Sequence, residues 1–213
     1  MTTMQKKQVA IVVPMHNRAE LTPDEQTSFE HLQYYLGGYD KFLVVPDSLN
    51  INLPGCSLKR FGDEYFGSVA ANTRLLLSED FYRSFTDYEY ILIYHLDALV
   101  FSDQLRAWCD TGLDYIGPPW LQCADSPWVK EARVGNGGFS LRKIESFLKV
   151  FRSDVYWMEP GEYWQEKYAG RALPVRMLNS PRRWLKRLSR FNNARLEMAR
   201  WHLRPDGTKN EDH

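Results

Sequence analysis

The chain has 213 residues, with 27 lysines and arginines against 27 acidic residues, and 14% of it is aromatic. This balance of charged and aromatic residues excludes a disordered, collagen-like or coiled-coil protein. The length predicts a single domain over residues 1–213 that buries about 70% of the surface of its unfolded chain.

Short, continuous runs of apolar and β-branched residues predict strands that are covered on both faces. The first helix is predicted to begin at Pro23, because Thr22 and Glu25 form a capping box around it, and to end at Gly37. The same patterns predict strands at residues 9–13, 42–45, 57–61, 90–94, 115–117 and 138–141, and further helices at residues 68–85, 102–109, 143–152 and 184–202. Glu159, Glu162 and Glu166 have the spacing of a helix face. This alternation predicts an α/β fold with a mostly parallel sheet flanked by helices.

A basic helical segment over about residues 181–204 accounts for a hidden charge asymmetry. Residues 182–204 contain eight arginines and lysines and one acid, Glu197, so the rest of the chain is acidic by the same amount. A nucleic-acid-binding protein would be more uniformly basic. Trp184, Leu188 and Phe191 have helical spacing beside these charges. Two interpretations remain open: peripheral contact with an anionic membrane or a lipid-linked pyrophosphate, or packing of the apolar residues on the domain.

The cysteines and the apolar runs bear on the cellular location. Cys56, Cys109 and Cys123 are an odd, widely spaced set without a CxxC pair, which favours a reducing compartment and unreactive thiols. The apolar runs are too short to span a bilayer, and the N-terminal run lacks a signal-peptide cleavage site. We therefore expect a soluble cytoplasmic protein.

Polar residues follow three of the predicted strands. The segments are Pro14–Arg18, Pro46–Ser48 and His95–Asp97. Ligands of parallel α/β sheets bind outside the carboxyl ends of the strands, so these segments predict a site for a nucleotide or a metal ion. The dinucleotide fingerprint GxGxxG and the phosphate loop GxxxxGK[ST] are absent from the sequence, which argues against a dehydrogenase or an ATPase.

Six segments, in order, resemble the motifs of nucleotide-sugar glycosyltransferases of the GT-A type. They are VVPMHN, VVPDS, SVAANTRLLL, YEYILIYHLDALVF, VGNGGFSLR and NEDH. More narrowly, the chain is similar to a bacterial glycosyltransferase-like domain family of unknown function. The resemblance covers nearly the whole chain and implies a GT-A, Rossmann-like fold. Such chains normally continue past the last motif, so we expect this one to be a fragment.

The resemblance also implies roles for individual residues. The donor nucleotide sugar would be bound by Pro14, Asn17, Arg18, Asp47, Asn72 and Asp97. The acceptor would be bound by Trp120, Gly137, Gly138 and Phe139. The NEDH segment resembles the xED motif, which makes Asp212 the catalytic base and Glu211 its neighbour. The residues alone leave ordinary alternatives open: Asn17 and Asn72 as caps or turns, Trp120 and Trp128 as packing residues, and the glycines as a turn into a strand.

Metal binding rests on one carboxylate. GT-A enzymes usually hold Mn²⁺ or Mg²⁺ on a DxD motif, because hard cations prefer carboxylate oxygens. Here the motif reads either His95-x-Asp97, with His95 as a second candidate ligand, or Asp97-x-Leu99, with an apolar residue in place of the second acid. We favour a divalent cation held by Asp97 with further help from the C-terminal segment. A functional role for Asp97 is favoured separately, on the premise that an unpaired carboxylate buried after a strand is costly.

These observations predict an inverting glycosyltransferase that uses a nucleoside-diphosphate sugar, most simply a UDP-sugar. Its acceptor would be a bacterial surface glycan such as a lipopolysaccharide or capsule chain, at the inner face of the membrane. One alternative is a catalytically degenerate GT-A domain that binds glycan or nucleotide as a scaffold. A lesser one is a sugar nucleotidyltransferase, whose glycine-rich loop after the first strand is missing from PMHNRAEL.

Overall fold

The computed structural model describes residues 6–15, 18–122, 133–156 and 158–197. Within these ranges the strands are β1 (Lys7–Pro14), β2 (Lys41–Pro46), β3 (Cys56–Phe61), β4 (Tyr88–Tyr94), β5 (Tyr115–Ile116), β6 (Pro119–Trp120), β7 (Arg133–Val134) and β8 (Phe139–Lys143). Six of them form one sheet in the order β3-β2-β1-β4-β8-β5, and the two short strands β6 and β7 pair separately. Strands β1 to β4 are parallel, and β8 runs antiparallel to both of its neighbours. The predicted α/β class with a mostly parallel sheet is confirmed.

Helices flank this sheet. They are α1 (Pro23–Leu36), α2 (Val69–Leu76), α3 (Glu79–Arg83), α4 (Leu105–Asp110), α5 (Ile144–Phe151), α6 (Pro160–Tyr168), α7 (Leu173–Leu178) and α8 (Ser180–Leu185), with 3₁₀ turns at Asp63–Tyr65 and Ser189–Phe191. No helix in the described ranges is long and apolar enough to cross a membrane. The acids at 159 and 162 lie at the start of α6, as their spacing predicted.

Strand β1 divides the core into two layers. Its alternate residues Val9, Ile11 and Val13 pack with α1 and α4 on one face of the sheet. Ala10 and Val12 pack with α2, α3 and α5 on the other face. Both faces of β1 are therefore buried, which is why the sequence of this strand is apolar without alternation.

The capping box that predicts the start of α1 is present in the structure. The backbone N–H of Thr22 donates to the Glu25 carboxylate at 2.8 Å, and the backbone N–H of Glu25 donates to the Thr22 hydroxyl at 3.3 Å. Pro23 occupies the first turn, where its missing N–H costs nothing. Local chemistry alone thus fixes this helix terminus.

The single helix predicted at residues 68–85 is wrong, because the segment forms two helices. Ser78 interrupts it with an extended backbone, φ −98° and ψ 140°. Its hydroxyl accepts from the N–H of Phe81 at 3.2 Å and caps α3, while it donates to the carbonyl of Leu75 at the end of α2. Serine competes with the helical hydrogen bonds in this way, so the chain turns here.

The helix predicted at residues 184–202 is interrupted over residues 186–193, and residues 194–197 are helical again. Helix α8 ends at Leu185, and Leu188 has an extended backbone before the 3₁₀ turn. The side-chain amide of Asn192 donates to the carbonyls of Met158 and Lys186, at 2.8 and 3.1 Å. These bonds hold the chain in a bend, and residues 198–213 lie outside the described residues.

Two cysteines can be compared with their prediction. Cys56 is half-buried and Cys109 is buried, and neither is in a disulfide. Burial raises the pKa of both thiols, that of Cys109 to about 11. Such thiols stay protonated near neutral pH, as expected of unreactive cysteines. Cys123 lies outside the described residues.

We predict that Thr22→Ala lowers the free energy of unfolding by about 1 kcal/mol, because the N–H of Glu25 loses its acceptor at the start of α1. Urea denaturation followed by circular dichroism measures the change. Thr27→Ala in the same helix is the matched control: its hydroxyl only donates back to the carbonyl of Pro23. Equal losses in the two variants would contradict the capping role.

Candidate functional site at the carboxyl edge of the sheet

The strand order defines one edge of the sheet as the place for a ligand. Strands β2 and β3 lie on one side of β1, and β4 lies on the other, so the direction of winding reverses between β1 and β4. In open α/β sheets a crevice forms outside the carboxyl ends of the strands at such a reversal. Because β8 is antiparallel to β4, the amino end of β8 meets the same edge.

Two donor-binding candidates lie at this edge, at the ends of β1 and β2. Pro14 is the last residue of β1 and lies opposite Val44 of β2. Asp47 follows β2, and its backbone N–H donates to the carbonyl of Phe61 at 3.0 Å. Beside it, the Asp63 carboxylate accepts from the N–H of Ser48, which lowers the pKa of Asp63. Asp47 and Asp63 thus place two acidic side chains at this edge of the sheet.

Asp97 lies in a turn that is anchored in the core. The N–H of Ala98 donates to the carbonyl of His95 at 3.1 Å and closes the turn. The hydroxyls of Ser28 in α1 and Tyr94 in β4 lie 3.0 Å apart, and both donate to the carbonyl of Ala98, at 2.5 and 3.1 Å. Burial raises the pKa of Tyr94, so its hydroxyl keeps the proton that it donates. Two buried hydroxyls therefore hold the turn from below.

The side chain of Asp97 is exposed, so the premise of a costly buried carboxylate is wrong. Its neighbour Leu96 is buried instead and anchors the turn, while Leu99 is 44% exposed. The strand run predicts burial up to Tyr94, but the turn that follows rotates the acid toward solvent. An exposed carboxylate remains available to a cation or a ligand at little desolvation cost.

A glycine-rich loop at residues 135–138 adjoins the Asp97 turn. The backbone N–H of His95 donates to the carbonyl of Gly138 at 2.7 Å, joining the loop to the turn. A Cβ atom on Gly138 would come within 3.3 Å of the His95 ring, and Gly135 has a φ of 143°. Gly135 is thus required by its backbone conformation, and Gly138 is favoured by its close packing on His95. Phe139 packs on Tyr94 with the ring centroids 5.5 Å apart.

Arg142 holds this loop from the other face of the sheet, and the sequence analysis missed it. The residue is 6% exposed. Its guanidinium donates to the Ser140 hydroxyl at 3.0 Å, to the Tyr82 hydroxyl at 2.8 Å and to the carbonyl of Gly137 at 3.4 Å. Its partners among the described residues are all uncharged. Burying a cation in this way is costly unless every donor is satisfied, which the loop carbonyl helps to achieve.

No sequence signal singles out Arg142. It alternates with Leu141 along β8 as a polar residue on a half-covered strand would. Only the packing of α3 and α5 against that face buries it, over the ring of Phe147 and beside Tyr82. Burial raises the pKa of Tyr82 although the arginine charge opposes the shift, so the phenol stays neutral.

The remaining predicted residues are distributed as follows. Arg18 is held by an ion pair with Glu25 at 2.6 Å and by the carbonyl of Glu20. Asn72 lies half-buried in the first turn of α2, and Trp120 lies half-buried in β6. Asn17, Trp128, Glu211 and Asp212 lie outside the described residues.

Metal binding at the Asp97 turn stays a prediction. The ranges with defined structure contain no group of three or more His, Cys, Asp and Glu residues placed to hold a metal ion. Asp97 offers one exposed carboxylate, and His95 lies half-buried against Gly138. These residues by themselves do not complete a coordination shell for Mn²⁺ or Mg²⁺.

Two clefts of the described surface lie elsewhere. One of about 590 Å³ is formed by α1 and the loop before β3, and one of about 560 Å³ by β5 and α5. Neither is lined by Pro14, Asp47 or Asp97. The candidate site is therefore defined by topology and by the two anchored loops.

We predict that Arg142→Met lowers the free energy of unfolding by about 1–3 kcal/mol, because it leaves the Tyr82 hydroxyl and the Gly137 carbonyl without their donor. Arg142→Lys keeps the charge but not the fork of donors, so an intermediate loss is expected. Urea denaturation measures both. Arg152→Met removes an exposed arginine that pairs with Glu79 and serves as the control. An Arg142→Met midpoint equal to wild type would refute the anchoring role.

Comparison with known proteins identifies one matching family. A family model described as a protein of unknown function, DUF5672, matches residues 55–213. The match includes β3, the Asp97 turn, the glycine-rich loop and all elements that follow. No curated protein matches the chain.

Proposed function

The chain belongs to the DUF5672 family, and we propose that it is an inverting glycosyltransferase that uses a nucleoside-diphosphate sugar, most simply a UDP-sugar. The acceptor is a hydroxyl of a bacterial surface glycan. The observation that carries the proposal is the meeting of the Asp97 turn and the glycine-rich loop at the reversal of strand order between β1 and β4. A GT-A fold is part of the same proposal.

The arrangement of the edge favours a nucleotide sugar. A base and ribose need a cleft beside β1 and β2, where Pro14 and Asp47 lie, and the diphosphate would extend toward β4 and Asp97. The sugar would then reach the loop at Gly137 and Gly138, where Cβ atoms are absent. Trp120 and Phe139 are the apolar residues proposed for the acceptor side.

The chemistry sets two requirements. The bond between the anomeric carbon and the diphosphate oxygen breaks as the acceptor oxygen bonds to that carbon from the opposite face. The bonding electrons leave with the nucleoside diphosphate, and the acceptor proton passes to a base. Asp212 is the proposed base, with Glu211 beside it. The leaving diphosphate needs a positive partner.

Electrostatics decides how that partner is supplied. Asp47, Asp63 and Asp97 at the edge would repel a bare diphosphate. We therefore propose that the nucleotide binds together with Mn²⁺ or Mg²⁺, with Asp97 as the described ligand and His95 as a second candidate. The cation would neutralise the charge of the leaving group.

We predict that UDP with Mn²⁺ raises the melting temperature of the wild-type protein, and that Asp97→Asn weakens this binding about 10-fold or more by removing a charged ligand. Thermal shift and calorimetry with UDP, GDP and CMP, each with and without Mn²⁺, measure the effect. Asp110→Asn is the matched control, because Asp110 is exposed and accepts from Gln8 at the opposite end of β1. Undiminished UDP binding by the Asp97 variant would refute the assignment.

We predict that Asp212→Asn lowers sugar transfer by about 10²–10⁴-fold, the range for loss of a general base, with UDP affinity changed only a few fold. Transfer and donor hydrolysis are followed by release of UDP. Glu211→Gln is the companion variant and should retain more activity. Unchanged turnover in the Asp212 variant would remove it as the base.

One observation favours a second candidate function. Leu99 occupies the position of the second acid of a DxD motif, so that carboxylate is missing. The leucine side chain is exposed. A degenerate GT-A domain that binds a nucleotide or glycan as a scaffold would tolerate this change. Nucleotide binding without hydrolysis or transfer of any donor sugar would favour that function.

A further inference from the structure

Residues 171–191, which we call the basic arm, form a surface of unusual composition. The arm contains seven arginines and lysines and no acidic residue. It comprises α7, α8 and the following 3₁₀ turn. Apart from three half-buried positions, every residue in it is exposed.

Large apolar side chains are concentrated on the same arm. Eight of the nineteen exposed large hydrophobic residues among the described residues lie there. Leu178 is 82% exposed, Trp184 69% and Leu173 67%. Trp184, Leu188 and Phe191 are 69%, 56% and 41% exposed, which contradicts the alternative that these three residues pack on the domain. Clustered exposed apolar surface of this kind marks a contact site.

The arm is nonetheless attached to the domain, by its cations. Arg183 lies over the ring of Trp164 in α6 at 5.4 Å, and Lys186 lies 4.9 Å from the ring centroid of Tyr163. The hydroxyl of Tyr156 donates to the carbonyl of Arg187. These contacts hold the backbone of the arm in place, while the side chains of Arg176 and Arg190 form no hydrogen bond, ion pair or ring contact with the described residues.

We propose that the basic arm docks on the surface of an anionic lipid bilayer, with its apolar side chains in the interface and its arginines at the headgroups. Charge complementarity favours an anionic lipid surface over a second copy of the chain. A second copy of the chain using the same surface would bring seven cations against seven, which is unfavourable. Anionic lipid supplies both the negative charge and the apolar layer that this composition requires.

The proposal stands apart from the glycosyltransferase proposal, since it depends only on the arm. Cosedimentation of the full chain with phosphatidylcholine vesicles, with and without 30 mol% phosphatidylglycerol, tests it. We expect binding to the anionic vesicles at low salt, little binding to the neutral ones, and a large loss in 0.5 M NaCl, where exposed charges are screened.

Two pairs of variants separate charge from apolar contact. Arg176→Glu with Arg190→Glu should weaken binding by about 10-fold or more, since each basic residue near an anionic surface contributes roughly 5-fold. Its control is Lys6→Glu with Lys149→Glu, which changes the net charge equally. Leu178→Gln with Trp184→Gln should also weaken binding. Its control is Leu113→Gln with Trp108→Gln, a leucine and a tryptophan outside the arm that are about half exposed, 54% and 49%.

A direct probe locates the contact. Brominated acyl chains should quench the fluorescence of Trp184, so Trp184→Phe should lose this quenching and Trp108→Phe should keep it. Failure of the wild-type chain to bind anionic vesicles at low salt would overturn the proposal. So would equal effects of the arm variants and their controls, or a dimer in light scattering that Leu178→Gln with Trp184→Gln converts to a monomer.

Discussion

The pairing of β1 with β4 is the constraint on which the rest of the structure depends. Ile11 lies opposite Leu92 and Val12 opposite Ile93, and residues 10–13 of β1 have no exposed surface. Burial of each valine or isoleucine side chain among them contributes about 1.5–3 kcal/mol. Because neighbouring residues of β1 pack in opposite layers of the core, the β1–β4 pair contacts both layers. It also sets the reversal of strand order that defines the candidate site.

The two loops at that site are each tied to a different layer of the core. On one face, the hydroxyls of Ser28 and Tyr94 hold the carbonyl of Ala98. On the other, the guanidinium of Arg142 holds the carbonyl of Gly137. A backbone hydrogen bond from His95 to Gly138 links the loops. Displacing either loop would leave buried polar groups without partners, so the packing of both layers fixes the edge.

The sequence predicts those features whose causes are local. Continuous apolar runs predict the strands, and the Thr22 capping box predicts the start of α1, because each depends on neighbours in the chain. The break at Ser78 has a local cause too, but a serine in an apolar helical pattern is equally compatible with an exposed position. The burial of Arg142 and the exposure of Asp97 follow from tertiary packing and from one turn. The pattern of residues around Arg142 and Asp97 therefore predicts neither feature.

In the docking that we propose for the basic arm, the distribution of charge orients the domain on the lipid surface as well as binding it. The whole chain is neutral, so a body that excludes the arm carries a net negative charge. An anionic surface attracts the arm and repels this body, and both effects act within about one Debye length, roughly 8–10 Å. Opposed forces of this kind favour one orientation over all others. Arg183 and Lys186, by stacking on Trp164 and Tyr163, transmit that orientation to the domain.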